Sequence, residues 1–386
     1  MLHKSMNYTS PANVRIMAED LALLPAWYAE DGDYVLVDAP TTRIYPGWLP
    51  AAIQLGSTAV STGDLKNKSL SLPHLEAEPW GLSQQSLHLF DGLRQAYELD
   101  IDLPVWKDEY VALTGRQTAA DCLVRIQQAL PDIDFPPPPV FLSQIEEIEE
   151  YLSQNTGEVV LKTPYSSSGR GLLWLTDGRL SESDRNVIKG MLRTQNVVSL
   201  EHKLKKDVDF AIEFYSDGKG NVYEKGASLF LTTVKGAYKC NLLMTQDSVW
   251  GELAKFGADK VLDRVRETMP GVLRDVFGSK YTGYLGVDMI IHKVDGGLAF
   301  HPCVEINLRR TMGMVAINLV EKYIGKHAMA IFDISYELNP GKAYERHQLM
   351  KKTYPPVFLK GKLQKGYFSL CPVTKETHYT AFVQAR

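Results

Sequence analysis

Hydrophobic positions along this chain recur with two periods, and the places where one gives way to the other mark out its elements. Residues 34–37 form a compact apolar run of strand length, whereas Leu87, Phe90, Leu93 and Tyr97 recur at helical spacing over 87–99. A second helix is predicted to begin after Thr114 and to run through Ala119, Leu123 and Ile126 to Leu130. Pro136, Pro137, Pro138 and Pro139 then break any helix, because each fixes its own φ and restricts the residue before it; they mark the expected domain boundary. Ser143 and Glu146 have capping-box spacing for a short helix that carries Ile145, Ile148 and Leu152 on one face and ends before Gly157.

Beyond that point the period-2 pattern dominates. Strands are predicted at 159–162, 172–175, 197–201, 209–215 and 222–232, with a helix from Ser183 or a neighbour to Gln195. A helix over 261–277 is expected to be interrupted or ended by Pro270 and Gly271. Residues 284–292 and 298–307 read as a hairpin around Asp295, Gly296 and Gly297, followed by a long apolar helix over 314–332. From about Asn339 no period is clear, and one late strand is predicted near 379–383. The pattern predicts an antiparallel sheet with helices on one side, after a first third that mixes α and β signals.

Composition narrows the function. At 386 residues, 45% hydrophobic and 23% charged, the chain is long enough for two or three ordinary cores. A net charge of -4 counts against bulk nucleic-acid binding. No apolar run approaches the ~20 residues that span a bilayer, and residues 1–10 lack a secretory apolar stretch, so the expected location is cytoplasmic, with no membrane partner. Cys122, Cys240, Cys303 and Cys371 are far apart and form no CxxC pair, which predicts buried free thiols.

Three segments carry candidate chemistry. The run 158–164 delivers Lys162 at the end of a strand, where a buried ammonium requires an anion. Ser166, Ser167, Ser168, Gly169, Arg170 and Gly171 form a Ser/Gly loop whose successive backbone N–H groups can close on a phosphate. Glu305 and Asn307 point to one face of a strand, two oxygen ligands spaced for a hard cation. Together these are the parts of a nucleotide–magnesium site. The chain has no GxxxxGK[ST] loop, GxGxxG fingerprint, HExxH helix or GxSxG elbow.

The order of these parts, a lysine strand, a Ser/Gly hairpin, a strand ending in Glu201, then Asp288 and the Glu305-x-Asn307 pair, resembles the ATP-grasp superfamily over residues 110–335, in its carboxylate–amine ligase branch. The resemblance implies an N-terminal α/β domain (1–135) and an ATP-grasp fold of two α+β subdomains: a small one (136–205) with the lid loop and a large one (206–338) with the metal site. Residues 339–386 would be a C-terminal extension. It implies that Lys162 and Arg116 meet the ATP phosphates under the 166–171 lid, and that Glu201, His202 and Leu204 read adenine. Asp209, ahead of Asp207, would hold the ribose. Asp288, Glu305 and Asn307 would hold Mg²⁺ or Mn²⁺, and Arg309 the transferred phosphate or acceptor anion. Arg310 would point elsewhere, and 311–313 would offer helix N–H groups. No basic residue precedes Asp288, so Lys235 and Lys239, expected on a loop, are the available further cations. His301 and Cys303 are read as strand packing.

The activity so implied joins a small-molecule or peptide carboxylate to an amine through an acyl phosphate, with a homodimer as one possible assembly. The alternatives are a kinase of the same fold and a nucleotide-binding regulatory protein without turnover. Residues 79–82 and 106–110 are candidates to line the domain interface, but neither identifies a substrate.

Overall fold

The computed structural model describes residues 10–37, 47–67, 72–155, 157–166, 171–176, 179–233, 236–256 and 259–386. In the first third, two short parallel pairs, β1 (Tyr34–Val37) with β2 (Thr58–Ser61) and β3 (Leu75–Glu76) with β4 (Ile101–Asp102), accompany a helix at Gln84–Tyr97. Next comes a four-stranded antiparallel sheet made of β5 (Val140–Leu142), β6 (Val159–Lys162), β7 (Leu172–Leu175) and β8 (Val198–His202), in the order β5-β8-β6-β7. Ile148 and Leu152 of the helix Ile145–Gln154 and Ile188 of the helix Glu182–Gln195 bury against Val159, Leu161, Val198 and Leu200 of this sheet. The caps differ by a residue or two from the sequence expectation. Gln144 and Glu147, not Ser143 and Glu146, form the box on the first helix, and Ser181 with Asp184 caps the second.

The larger sheet has nine strands: β9 (Lys205–Asp217), β10 (Val222–Thr232), β11 (Tyr238–Leu243), β12 (Thr282–Val294), β13 (Gly297–Asn307), β14 (Ala330–Tyr336), β15 (Val357–Leu359), β16 (Lys362–Ser369) and β17 (Tyr379–Ala385). Their order is β13-β12-β9-β10-β11-β14-β17-β16-β15. One face packs Phe210, Ile212, Phe214, Leu285, Val287 and Met289 against the helices Arg116–Ala129 and Asp259–Phe277. The latter helix is continuous through Pro270, because burial of Leu262, Val265, Met269, Leu273 and Phe277 outweighs the ~3 kcal/mol that an interior proline costs.

Two further expectations are corrected. The run over 314–332 is a helix only at Met312–Tyr323 and then, across Gly325 and the exposed Lys326 and His327, turns into β14, so the break in the apolar pattern at those three residues marks the end of the helix. The stretch after Asn339 holds a helix at Lys342–Thr353 and two strands, β15 and β16, besides β17. No helix among the described residues is long and apolar enough to cross a membrane.

Candidate functional site

The strand register of the large sheet places most of the candidates on one face. Across β9, β12 and β13 three rows of side chains stand side by side: Asp209, Ile290 and His301; Ala211, Asp288 and Glu305; Glu213, Gly286 and Asn307. Asp288 and Glu305 are therefore direct cross-strand neighbours. Asn307 Nδ2 donates to Asp288 Oδ2 (3.2 Å) and Arg309 Nη2 to Asn307 Oδ1 (2.8 Å), so the arginine is anchored on the metal-ligand candidates. Burial pushes the Asp288 carboxyl well above the usual carboxylate range, and the neighbouring Glu305 and Glu213 charges push the same way. Among the described residues, no three His, Cys, Asp or Glu side chains converge as a metal cage by themselves.

The small sheet supplies the opposite wall. Lys162 and Glu201, on adjacent strands β6 and β8, form a buried ion pair. Burial works against the Glu201 charge, but the Lys162 ammonium, with Arg116 adding to it, holds that carboxyl below its ordinary value. Arg116, the first residue of its helix and itself buried, joins the two walls. Its Nε donates to Thr163 O (3.1 Å), and its Nη2 donates to Ser166 Oγ (3.1 Å) and pairs with Glu305 Oε2 (3.1 Å). Arg116, Ser199 and Glu201 line a small cavity with His301 and Cys303 from β13. Burial pulls His301 down to about 4, and its Nδ1 accepts from the Cys303 N–H (3.3 Å), so a neutral imidazole faces the ion pair.

The remaining candidates divide. Asp209 accepts from Thr232 Oγ1 (2.8 Å) and pairs with Lys206 (2.6 Å), on the same face as Asp288; Asp207 pairs with Lys293 (3.0 Å) instead. His202 is exposed and Leu204 half-buried, just beyond Glu201. Gly171 O accepts from the Thr163 N–H (3.0 Å), closing the base of the β6–β7 hairpin. Ser167, Ser168, Gly169, Arg170 and Lys235 lie outside the described residues. Lys239 is not on a loop: it is the extra residue at a bulge in β11, exposed, and makes no ion pair among the described residues. Thr311 caps the helix Met312–Tyr323 by accepting from Met314 N–H (3.1 Å). Arg310 turns towards the first third of the chain, where its guanidinium lies between the Tyr28 and Tyr284 rings (4.3 and 4.0 Å) and pairs with Glu78 (2.6 Å).

Glu213 was not among the sequence candidates. It is fully buried, and neither carboxylate oxygen has a well-formed hydrogen bond among the described residues. Burial raises it to about 7, and the nearby Thr311 hydroxyl and Arg309 charge oppose the shift. Two glycines make room for it. A Cβ at Gly286 would lie 2.6 Å from Glu213 Oε2, and one at Gly313 2.1 Å from Oε1. The only hint in the sequence is that Glu213 keeps the alternation of Asp209 and Ala211.

No protein-family model matches the sequence, and no curated protein sequence does. Solved structures do match. A biotin carboxylase from Campylobacter jejuni, in complex with β,γ-ATP, superposes with a TM-score of 0.54 at 12% identity, over 95% of this chain and 85% of that one. An N5-carboxyaminoimidazole synthetase from Staphylococcus aureus gives 0.49 at 10% identity, over 96% and 91%. The biotin carboxylase domain of the Hydrogenobacter thermophilus 2-oxoglutarate carboxylase, bound to MgADP, ADP and bicarbonate, gives 0.45 at 13%, over 76% of this chain and 66%, just under two thirds, of that one. The first match carries the conclusion of a shared fold.

Proposed function

We propose that this chain, which has the ATP-grasp fold, is an ATP-dependent ligase that activates a carboxylate as an acyl phosphate and joins it to an amine or another nucleophile. One observation carries the reading. Arg116 binds the end of the small-sheet hairpin and Glu305 of the large sheet at once, so one guanidinium, at the edge of the small cavity it lines with Glu201, joins a phosphate-side candidate to a metal-side one.

Asp288, Glu305 and Asn307 would hold Mg²⁺ or Mn²⁺. Two carboxylates and an amide suit a hard cation that takes its other positions from phosphate oxygens and water. The unsatisfied Glu213 fits that assignment, since it leaves on this face a carboxyl that no hydrogen bond among the described residues compensates. When bound, the cation supplies charge neutralisation on the phosphates. Lys162, Arg116 and the 166–171 loop would hold the phosphates, Glu201 and the backbone at 202–204 the base, and Asp209 the ribose. Arg309, fixed by Asn307, would steady the acceptor anion, with Lys239 as a second cation. Catalysis is then positioning and charge stabilisation, with no protein nucleophile.

The test is γ-labelled ATP with pools of amino acids, peptides and carboxylic acids. The label is expected as free phosphate beside ADP, with a hydroxamate formed when hydroxylamine replaces the amine. Label kept on the product would identify a kinase. AMP with pyrophosphate would exclude both, and binding without turnover in any pool would favour a regulatory protein.

A further inference from the structure

We propose that Glu213 belongs to the divalent-cation site, as a buried negative charge behind Asp288 that raises cation affinity at the expense of metal-free stability. The inference rests on the reading of Asp288, Glu305 and Asn307 as cation ligands. Glu213 shares their sheet face, one row along from Asp288 on the adjacent strand. An unsatisfied carboxylate in a dry interior is costly, yet this one is built in: Gly286 and Gly313 leave no room for a side-chain carbon beside it, and Ser228 Oγ, also buried, has no hydrogen-bond partner among the described residues. The Arg309 guanidinium is shared with Asp288 and Asn307, so it does not neutralise Glu213 alone. Nearness to the first turn of the helix Met312–Tyr323 favours the charge but leaves it uncompensated. A divalent cation at Asp288 and Glu305 provides the missing compensation without touching Glu213. That agrees with the absence of a three-acid cage among the described residues.

The two halves of the proposal move oppositely in one variant. At about pH 8.5, where the Glu213 carboxyl is ionised although burial raises it to about 7, Glu213→Gln, of equal size, is expected to raise the melting temperature of the metal-free protein by about 2 °C or more. It should also weaken Mn²⁺, titrated by electron paramagnetic resonance in saturating ADP, by about tenfold, as expected for a unit charge acting on a divalent ion through a partly dry interior. Glu213→Asp, which keeps the charge but draws it back by one methylene, should fall between the two and serves if the glutamine variant does not fold. Asp288→Asn is the reference for loss of a direct ligand. Equal Mn²⁺ affinity in wild type and both Glu213 variants, with affinity lost in Asp288→Asn, overturns the role of Glu213 and leaves the cation site standing. A Glu213→Gln protein less stable without metal would make the residue a helix anchor and also overturn it. Absence of Mn²⁺ binding by wild type with ADP takes down both readings.

Discussion

Arg116 Nη2 lies 3.1 Å from Glu305 Oε2, a salt bridge between the first residue of a helix and the strand that carries the metal-ligand candidates. With the side chains 9% and 29% exposed, this pair is too buried to behave like a surface one. Arg116→Met is expected to cost about 2–3 kcal/mol in urea denaturation, because it strands Glu305 and the Thr163 carbonyl. Arg116→Lys should recover only part, since an ammonium cannot span the same three acceptors. A cost below about 0.5 kcal/mol would show that the bridge contributes no more than an exposed pair.

The Lys162–Glu201 pair separates stability from binding. Lys162→Met leaves Glu201 buried and unpaired, with an expected loss of about 3 kcal/mol, while Lys162→Met with Glu201→Leu should regain most of it. Wild type is expected to gain melting temperature in millimolar Mg·ATP, and neither variant is expected to show that rise. A full thermal shift in Lys162→Met would remove the lysine from the phosphate site.

Glu305→Gln and Asn307→Ala are expected to lower turnover at least ~100-fold with a native circular dichroism spectrum. Glu305→Gln should destabilise by only about 1 kcal/mol, because Arg116 keeps its bonds to Thr163 and Ser166. Near-normal activity in either variant would contradict the metal assignment.

Acid stability is expected to carry the mark of His301. Burial lowers it from 6.5 to about 4, so the unfolded chain takes up a proton over that window while the folded one does not. Stability then rises with pH between about 4 and 6.5, by up to about 3 kcal/mol from this residue. His347, also lowered to about 4, contributes in the same direction. Glu213 and Asp288, both raised, slope the other way over that window, so the measurement is the difference in urea midpoints between wild type and His301→Asn across it: the variant should lose the rise that His301 contributes, and a difference that does not change with pH would mean that His301 is not buried neutral.

What the sequence made legible was local. Lys162, Asp288, Glu305 and Asn307 stand out because strand alternation and one charged position on an apolar run are visible without a partner strand. Glu213 was not legible, since its meaning depends on lying opposite Gly286 and against Gly313, residues far along the chain. Lys239 was misplaced because a bulge leaves no trace in composition. After Asn339 the strand near 379–383 was legible and is β17, whereas β15 and β16 were not, because Lys360, Lys362, Gln364 and Lys365 break up the apolar alternation there.

Only Lys203 and Leu204 separate β8 of the small sheet from β9 of the large one, while the sheet's other attachment is the stiff run from Pro136 to Pro139. Any change in the angle between the sheets must be taken up as torsion in those few residues, and the Lys203 N–H is already bonded to Glu158 O (2.8 Å). A base read by the 202–204 backbone would sit on the pivot itself. Recognition and closure would then be one mechanical event: a ligand that fits the base position would also set how far apart the walls carrying Lys162 and Asp288 stand.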